Sequence, residues 1–300
     1  MDQALLLRQA YDSKTTLSNE LIDEWLSQSE LVKNLTSDFS VKGLFPIWRL
    51  LALAEIPFTI RLPYTQKLIK YCEQTYATPE GFSITGKAED ILPCYNAMLL
   101  EAYAKLGLTD HASAGAALNW IKQYQTFGRG EETSWHGKGI KKYGGCLKET
   151  PCFIGIAKSV KALVYYQRHS LNVTDELDAL IQKGVAYLLK HNLFQRLSDH
   201  MPITKHILDI AYPQSYQLNL YELLDIVHQT GHLYDPRVEP ALTYIKDKMS
   251  PNQDWKINYI YKADGYVSFD RKGTTGEWIS YVLDNILEAY DETQIENHTQ

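Results

Sequence analysis

Thiols near one histidine are the first group whose types and spacing could do chemistry. Cys146 and Cys152 have five residues between them, and His136 precedes the first by ten positions. Thiolates and imidazole bind zinc, but structural zinc pairs usually have about two to four residues between them. The spacing therefore favours ordinary buried or cavity-facing thiols, and we expect no metal and no cofactor.

Two of the cysteines follow a proline at the start of a predicted helix. Cys152 follows Pro151 and Cys94 follows Pro93. A helix N-terminus lowers the pKa of a thiol, which makes Cys152 a candidate reactive group. Cys94 occupies the equivalent position of another repeat, so both thiols could face one cavity mouth.

Three carboxylates are candidates for acid or base catalysis: Asp90, Glu222 and Asp225. Glu222 and Asp225 are three residues apart, and so they share one face of an otherwise apolar helix. They could form capping or inter-helix hydrogen bonds, or they could act as a pair in a glycosidase-like or lyase-like reaction. The sequence does not give the carboxylate separation that would decide between these readings.

Aromatic residues are abundant, with 21 Tyr and 6 Trp against 4 Met. Many stand at or near the starts of predicted helices, where their rings could line a cavity, stack on a sugar or stabilise a cation. The alternative is that they only pack between helices. The predicted cavity-lining residues are Trp48, Cys94, Tyr95, Asn96, Trp135, Tyr216, Tyr221 and Trp278.

Helices must position these groups, because apolar residues recur at intervals of three and four while alternation at a period of two is nearly absent. Four segments are similar to one another, each ending an amphipathic helix: residues 67–84, 118–135, 185–197 and 242–257. Their matched positions Ile69, Ile121, Leu188 and Ile245 are 52, 67 and 57 residues apart. Such spacing is typical of repeated αα-hairpins.

A second, more apolar helix follows each of these segments. We predict these helices at residues 93–106, 151–167, 217–229 and 277–289, and a fifth pair upstream at residues 18–31 and 43–53. Five αα-hairpins with an apolar inner and a polar outer helix describe an all-α solenoid or a closed toroid. We predict a single domain over residues 1–290. Residues 259–276 are expected to form a loop or short hairpin over the mouth, and residues 291–300 a polar tail.

The overall composition excludes some classes of function. The 30 basic and 36 acidic residues give a net charge of −6, which argues against a nucleic-acid-binding protein. No apolar stretch approaches the roughly 20 residues that a membrane helix needs. We therefore expect a cytoplasmic protein without a membrane span, in which four cysteines do not make a disulfide framework.

One copy of the repeat resembles the repeat of terpenoid cyclases and protein prenyltransferase β-subunits. It is carried by Asn119, Trp120, Gln123, Gln125, Gly130 and Trp135. The order of FPIWRLLALAEI, CYNAMLLEAYAKLG, CLKETPC, YDPR and EWIS also resembles bacterial squalene-cyclase-like proteins. This resemblance implies an (α/α) toroid in which inner helix starts converge on the mouth of a largely apolar cavity.

The catalytic motifs of that superfamily are missing from the sequence. It contains no D-x-D-D motif, no Asp-x-Cys zinc pair and no aspartate-rich magnesium motif. The expected function is therefore the binding or transformation of a hydrophobic, isoprenoid-like small molecule, without a decision on catalysis. The alternatives are a non-catalytic scaffold and a carbohydrate-active toroid that uses a carboxylate pair.

Overall fold

A computed structural model describes residues 1–137, 142, 146–171 and 174–298, with side chains up to residue 291. This part of the chain is predominantly helical, as predicted. The helices are α1 (Gln3–Asp12), α2 (Asn19–Gln28), α3 (Glu30–Thr36), α4 (Phe45–Ala54), α5 (Pro63–Thr75), α6 (Pro93–Lys105), α7 (Ala112–Tyr124), α8 (Phe153–His169), α9 (Asp175–Lys190), α10 (Leu220–Gln229), α11 (Glu239–Asp247) and α12 (Glu277–His298). The described strands, β1 (Ala77–Thr78) and β2 (Gly81–Phe82), form one antiparallel pair.

The predicted apolar helices are present, four of them with ends shifted by three residues or fewer and the last extended to His298. Helices α4 and α6 have Pro46 and Pro93 in their first turns, where a missing amide hydrogen costs no helical hydrogen bond. The predicted helix at residues 18–31 is instead divided into α2 and α3 by Ser29. The Ser29 hydroxyl accepts the Val32 amide hydrogen at 3.0 Å and caps the new helix.

The apolar helices form a series of neighbours. Helix α6 packs most extensively against α8, while α4 packs against α6, α10 against α8, and α12 against α10. The more polar helices α5, α7, α9 and α11 pack against α4, α6, α8 and α10 respectively. The αα-hairpins therefore join each apolar helix to the polar helix that follows it, whereas the sequence predicted the opposite order within each hairpin. In the described part of the chain, no helix is both long and apolar enough to span a membrane.

One contiguous hydrophobic core runs from Ala4 to Leu287. Helices α6 and α8 are buried along most of their length, and they carry charged residues within that buried surface. Because an unpaired charge in a core is strongly destabilising, each of these groups needs a partner from another helix. The partners meet between α6, α8 and α10.

Residues 259–276 fold over the start of α4 in largely irregular conformation, held at one end by a bridge between Lys256 and Thr275. Gly265 has a φ of +89°, and a side-chain carbon there would lie 2.6 Å from the Phe45 carbonyl oxygen. Glycine thus allows this segment to approach the start of α4 closely.

The first and last helices are joined by polar contacts. The Tyr281 hydroxyl on α12 donates to Asp12 Oδ2 on α1 at 3.0 Å, and the Met1 amino group lies 3.4 Å from Glu277 Oε1. Helix α12 continues to His298, so most of the predicted polar tail is helical. Residues 299 and 300 lie outside the described part of the chain.

Candidate functional site

A network of buried charges lies between the apolar helices. Lys158 Nζ on α8 lies 2.6 Å from Glu222 Oε2 on α10, and neither side chain is exposed. Lys161, one turn later on α8, lies 3.2 Å from the same Glu222 oxygen and 3.2 Å from Glu101 Oε1 on α6. The two lysines share one face of α8, and so both reach the carboxylates.

The network continues towards the end of α4. Lys105, four residues after Glu101 on α6, lies 2.6 Å from Glu101 Oε1 and 2.8 Å from Glu55 Oε1. Glu55 also accepts a hydrogen bond from the Tyr212 hydroxyl at 3.2 Å. Three carboxylates therefore alternate with three ammonium groups, and we call Glu55, Lys105, Glu101, Lys161, Glu222 and Lys158 the buried ion network.

The ion pairs keep two carboxylates of this network, those of Glu101 and Glu55, ionised. Burial acts to raise the pKa of Glu101, but the ammonium groups of Lys105 and Lys161 outweigh it and hold that pKa at about 2. Burial likewise opposes ionisation of Glu55, yet Lys105 and Lys161 keep its pKa below the usual value. Neither group is poised as a general acid at neutral pH, since an acid needs a raised pKa.

The Glu55 end of the network forms the floor of a cavity of about 200 Å³, which we call cavity A. It lies at the C-terminal ends of α4, α6 and α8. Its charged lining residues are Arg8, Asp12, Glu55, Lys105 and Arg168. Its wall is otherwise apolar or aromatic and includes Tyr11, Pro57, Phe58, Ile60, Leu106 and Tyr165.

A second, larger cavity of about 740 Å³, cavity B, adjoins cavity A and shares Arg8, Asp12 and Arg168 with it. Asp225, which follows Glu222 by one turn of α10, lines cavity B. Its carboxylate accepts hydrogen bonds from the Tyr165 hydroxyl at 2.8 Å and from Gln229 Nε2 at 3.3 Å. Tyr165 lines cavity A, so one hydrogen bond connects the two cavities.

Arg8 stands between the two cavities, although it comes from the first helix. Its Nε donates to Asp12 Oδ2 at 2.6 Å, and its Nη1 lies 3.9 Å from Glu55 Oε2. Close by, burial lowers the pKa of His169 to about 4, with help from Arg168 and Lys105. The imidazole is therefore neutral at pH 7, and the positive charge at cavities A and B comes from arginine and lysine.

The structure brings two of the four predicted catalytic residues to this region. Glu222 and Asp225 lie on α10, but Glu222 is held beneath Lys158 and Lys161 while Asp225 faces cavity B. Their carboxylates therefore do not face a common groove. Asp90 lies elsewhere, in a 3₁₀ turn before α6, where it accepts a hydrogen bond from the Thr85 hydroxyl at 2.8 Å.

Cys94, Cys146 and Cys152 lie at or before the starts of the apolar helices α6 and α8, at the opposite ends from the cavities. Cys152 precedes α8, and its amide donates to the Cys146 carbonyl oxygen at 2.8 Å. Burial raises the pKa of Cys146 to about 11, with a contribution from Cys152, and burial raises the pKa of Cys94 further. Among the described residues, no group of three or more His, Cys, Asp or Glu is arranged to hold a metal ion.

The predicted cavity aromatics mostly pack against one another. The Trp48 ring contacts those of Tyr95 and Tyr261 with centroids 6.0 and 5.1 Å apart, and Tyr95 stacks on Tyr216. Residues 259–276 supply Tyr261, so this segment covers the rings at the helix starts. The cavities described above lie at the other ends of the same helices.

The remaining predicted residues have comparable packing roles. Trp278 stacks on Tyr212 at 5.8 Å, and Tyr221 lies 5.3 Å from the same ring. Trp135 packs edge-on against Trp120 at 5.5 Å. Asn96 accepts the Phe82 amide hydrogen at 2.8 Å and donates to the Ala117 carbonyl oxygen at 3.1 Å, which ties α6 to β2 and α7.

Comparison of the chain with models of protein families, with curated proteins and with solved structures found no match. The functional argument therefore rests on the geometry of the buried ion network and of cavities A and B. Seven charged residues of the network and of cavity A were not among the sequence candidates: Arg8, Glu55, Glu101, Lys105, Lys158, Lys161 and Arg168. A signal existed for three of them, because Glu101, Lys158 and Lys161 are isolated charges in otherwise apolar helices.

Proposed function

We propose that the protein is a helical toroid, similar to terpenoid cyclases and prenyltransferase β-subunits, that binds a small amphipathic molecule in cavity A. The observation that carries the proposal is the combination of an apolar wall with a charged floor in one concave site. The neighbour order of α4, α6, α8, α10 and α12 supports the toroid.

The apolar part of the ligand would lie against the segment that follows α4. Phe58 packs edge-on against Tyr11 with centroids 5.9 Å apart, and Ile60 extends the same wall. Tyr11 remains 40% exposed, which is high for a large aromatic side chain. A ligand ring or alkyl chain placed here would remove apolar surface from water, a gain of roughly 25 cal/mol per Å².

The polar part of the ligand would be anionic. Arg8, Lys105 and Arg168 contribute three positive charges to the lining, against two negative charges from Asp12 and Glu55. Arg168 donates to Gln229 Oε1 at 2.7 Å, and this partner is neutral. Arginine presents a planar set of donors that suits a carboxylate or similar group, and this favours Arg168 as the anion contact.

Binding rather than turnover is the function that this chemistry supports. The Glu55 carboxylate of the floor is held ionised by Lys105 and Lys161, and His169 is neutral at pH 7. These groups fix charge and shape, whereas an acid catalyst needs a proton that it can release to the substrate. The proposal therefore keeps the hydrophobic ligand expected from the sequence and moves it to the C-terminal ends of the helices.

Titration with anilinonaphthalene sulfonate, an aromatic anion that fluoresces in apolar sites, tests the proposal. The variant Ile60→Trp should fill cavity A and weaken binding at least about tenfold, which corresponds to about 1.4 kcal/mol. The matched control Val41→Trp adds the same ring at an exposed position and should bind as the wild type does.

Equal affinity in both tryptophan variants would refute cavity A as the site, provided that circular dichroism shows both to be folded. Native mass spectrometry of the protein from its own source would then look for the natural ligand. A co-purifying molecule that dissociates from Ile60→Trp but not from Val41→Trp would support the proposal.

A further inference from the structure

A third cavity lies away from cavities A and B, between the start of α8 and the end of α9. This cavity, which we call cavity C, has a volume of about 520 Å³. Its polar lining includes Arg129, His191 and Arg196, and Phe153 and Tyr187 are among its apolar lining residues. Neither the ion network nor the proposed ligand of cavity A involves these side chains.

His191 is the unusual group in cavity C. Its side chain is only 5% exposed, and its ring packs against Phe153 and Tyr187 with centroids 5.3 and 4.9 Å apart. Nδ1 lies 2.9 Å from the Gln195 carbonyl oxygen, which can only accept, so Nδ1 carries a hydrogen. Nε2 is buried and has no hydrogen-bond partner among the described residues. A buried polar atom of this kind is rare in a folded protein.

Three sources of positive potential surround this histidine. Arg129 is exposed and lines the cavity, and Arg196 lines it while lying 3.2 Å from Asp199. The third source is helix α8, which is 17 residues long and whose first residue, Phe153, lines the cavity; no side-chain hydrogen bond caps its start. A helix N-terminus flanked by arginines attracts anions.

We propose that cavity C binds an oxyanion, the phosphate or carboxylate group of a small molecule, between Arg129, Arg196 and the start of α8, with His191 Nε2 as a further ligand contact. In its neutral form His191 offers only a lone pair at Nε2. Once protonated, Nε2–H donates to the anion, and its missing partner is supplied.

This arrangement couples binding to proton uptake. Burial lowers the pKa of the free His191 and outweighs the hydrogen bond to Gln195, which raises it; the charges of Arg129 and Lys190 lower the pKa further. Arg196 adds positive charge nearby, and Asp199 offsets part of it. A bound anion reverses this balance and raises the pKa, so affinity must increase as the pH falls.

Isothermal titration calorimetry with sulfate and with acetate tests the proposal, because neither probe titrates between pH 6 and 8. The sulfate arm represents a phosphate group and the acetate arm a carboxylate. For the preferred probe we expect the affinity to fall by up to about tenfold per pH unit between the pKa of the free histidine and that of the liganded histidine. Titrations in two buffers of different ionisation enthalpy should show proton uptake on binding.

Three variants make the test specific. His191→Gln should abolish the pH dependence, and Arg129→Gln, at an exposed position that does not endanger folding, should weaken binding at every pH. Lys33→Gln, at an exposed position of α3, is the control that removes an equal charge elsewhere. The proposal would be overturned if neither sulfate nor acetate bound at millimolar concentration. So would equal affinity in Arg129→Gln and Lys33→Gln, which would indicate only general charge attraction.

Discussion

Lys158 and Glu222 form an ion pair with both side chains fully buried, and the pair is not symmetrical in its surroundings. Glu222 contacts two ammonium groups, those of Lys158 and Lys161. Lys158 has Glu222 as its carboxylate, and its other hydrogen bond goes to the neutral Gln214 at 3.3 Å. Loss of the carboxylate therefore affects the network more than loss of the lysine.

The variant Glu222→Gln should be strongly destabilised. It leaves Lys158 buried without an ionic partner, and removal of one member of a buried pair costs about 3 to 5 kcal/mol. Urea unfolding followed by circular dichroism would measure the difference. The control is Glu30→Gln, which breaks the exposed pair with Lys33 and should cost less than about 1 kcal/mol.

A double variant separates charge imbalance from lost packing. Lys158→Met combined with Glu222→Leu removes both charges and keeps similar side-chain volumes. It should unfold at a higher urea concentration than Glu222→Gln, because no uncompensated charge remains in the core. A double variant less stable than the single one would show that the pair contributes through its hydrogen bonds rather than through charge balance.

Acid should destabilise the protein through Glu101. Its pKa is about 2 in the folded protein and near 4.5 when unfolded, so the unfolded chain binds the proton first as the pH falls. The stabilisation is complete above about pH 5 and is lost as the pH falls towards 2. Glu101→Gln should show lower stability at pH 7 and a flatter decline between pH 5 and 2, as measured by urea midpoints at each pH.

Protonation of His169 should lower the stability of the folded protein at a milder pH than protonation of Glu101 does. Its pKa is about 4 in the folded protein against about 6.5 in the unfolded chain, because burial and the nearby Arg168 oppose its protonation. Its contribution is complete above about pH 6.5 and declines as the pH falls, since the unfolded state then takes up the proton. Comparison of urea midpoints at pH 8 and pH 5 should therefore show a smaller drop in His169→Gln than in the wild type.

Phe58 should reveal backbone strain in the wall of cavity A. Its φ is +66°, a conformation that costs a non-glycine residue roughly 1 to 2 kcal/mol. Phe58→Gly should consequently be more stable than Phe58→Ala, while both lose affinity for anilinonaphthalene sulfonate.

The neighbouring Tyr11 provides the comparison for this prediction. It lies within α1, where glycine is less favourable than alanine by up to about 1 kcal/mol. The order of the glycine and alanine variants should therefore reverse at Tyr11 in the same thermal unfolding measurement. An alanine variant more stable than the glycine variant at both positions would contradict strain at Phe58.

The sequence predicted the helices better than the site. Prolines such as Pro93 mark the first turns of apolar helices, and these local signals do not depend on distant contacts. The ion network depends on partners far apart in the chain, such as Glu55 with Lys105 and Lys161 with Glu222. Single isolated charges in α6 and α8 indicate that partners must exist, but the pattern does not identify them.

The sequence also did not show at which end of the helices the cavities lie. The chemically distinctive residues, such as Cys94 and Cys152, follow prolines at helix starts and draw attention to those ends. Cavities A and B lie at the C-terminal ends of the helices instead. The arginine between them, Arg8, belongs to α1, which lies outside every repeat that the sequence revealed. No local pattern links α1 to Glu55, because their approach depends on how the whole set of helices packs.

The hydrogen bond between Tyr281 and Asp12 has a consequence for how the molecule opens. In an open array of repeats each unit contacts only its neighbours, and the two terminal units exchange their amide hydrogens independently. Here the last helix contacts the first, and Asp12 in turn holds Arg8 near Glu55. We therefore expect detachment of α12 to loosen α1, and the amides of the two helices to become exchangeable in one cooperative event.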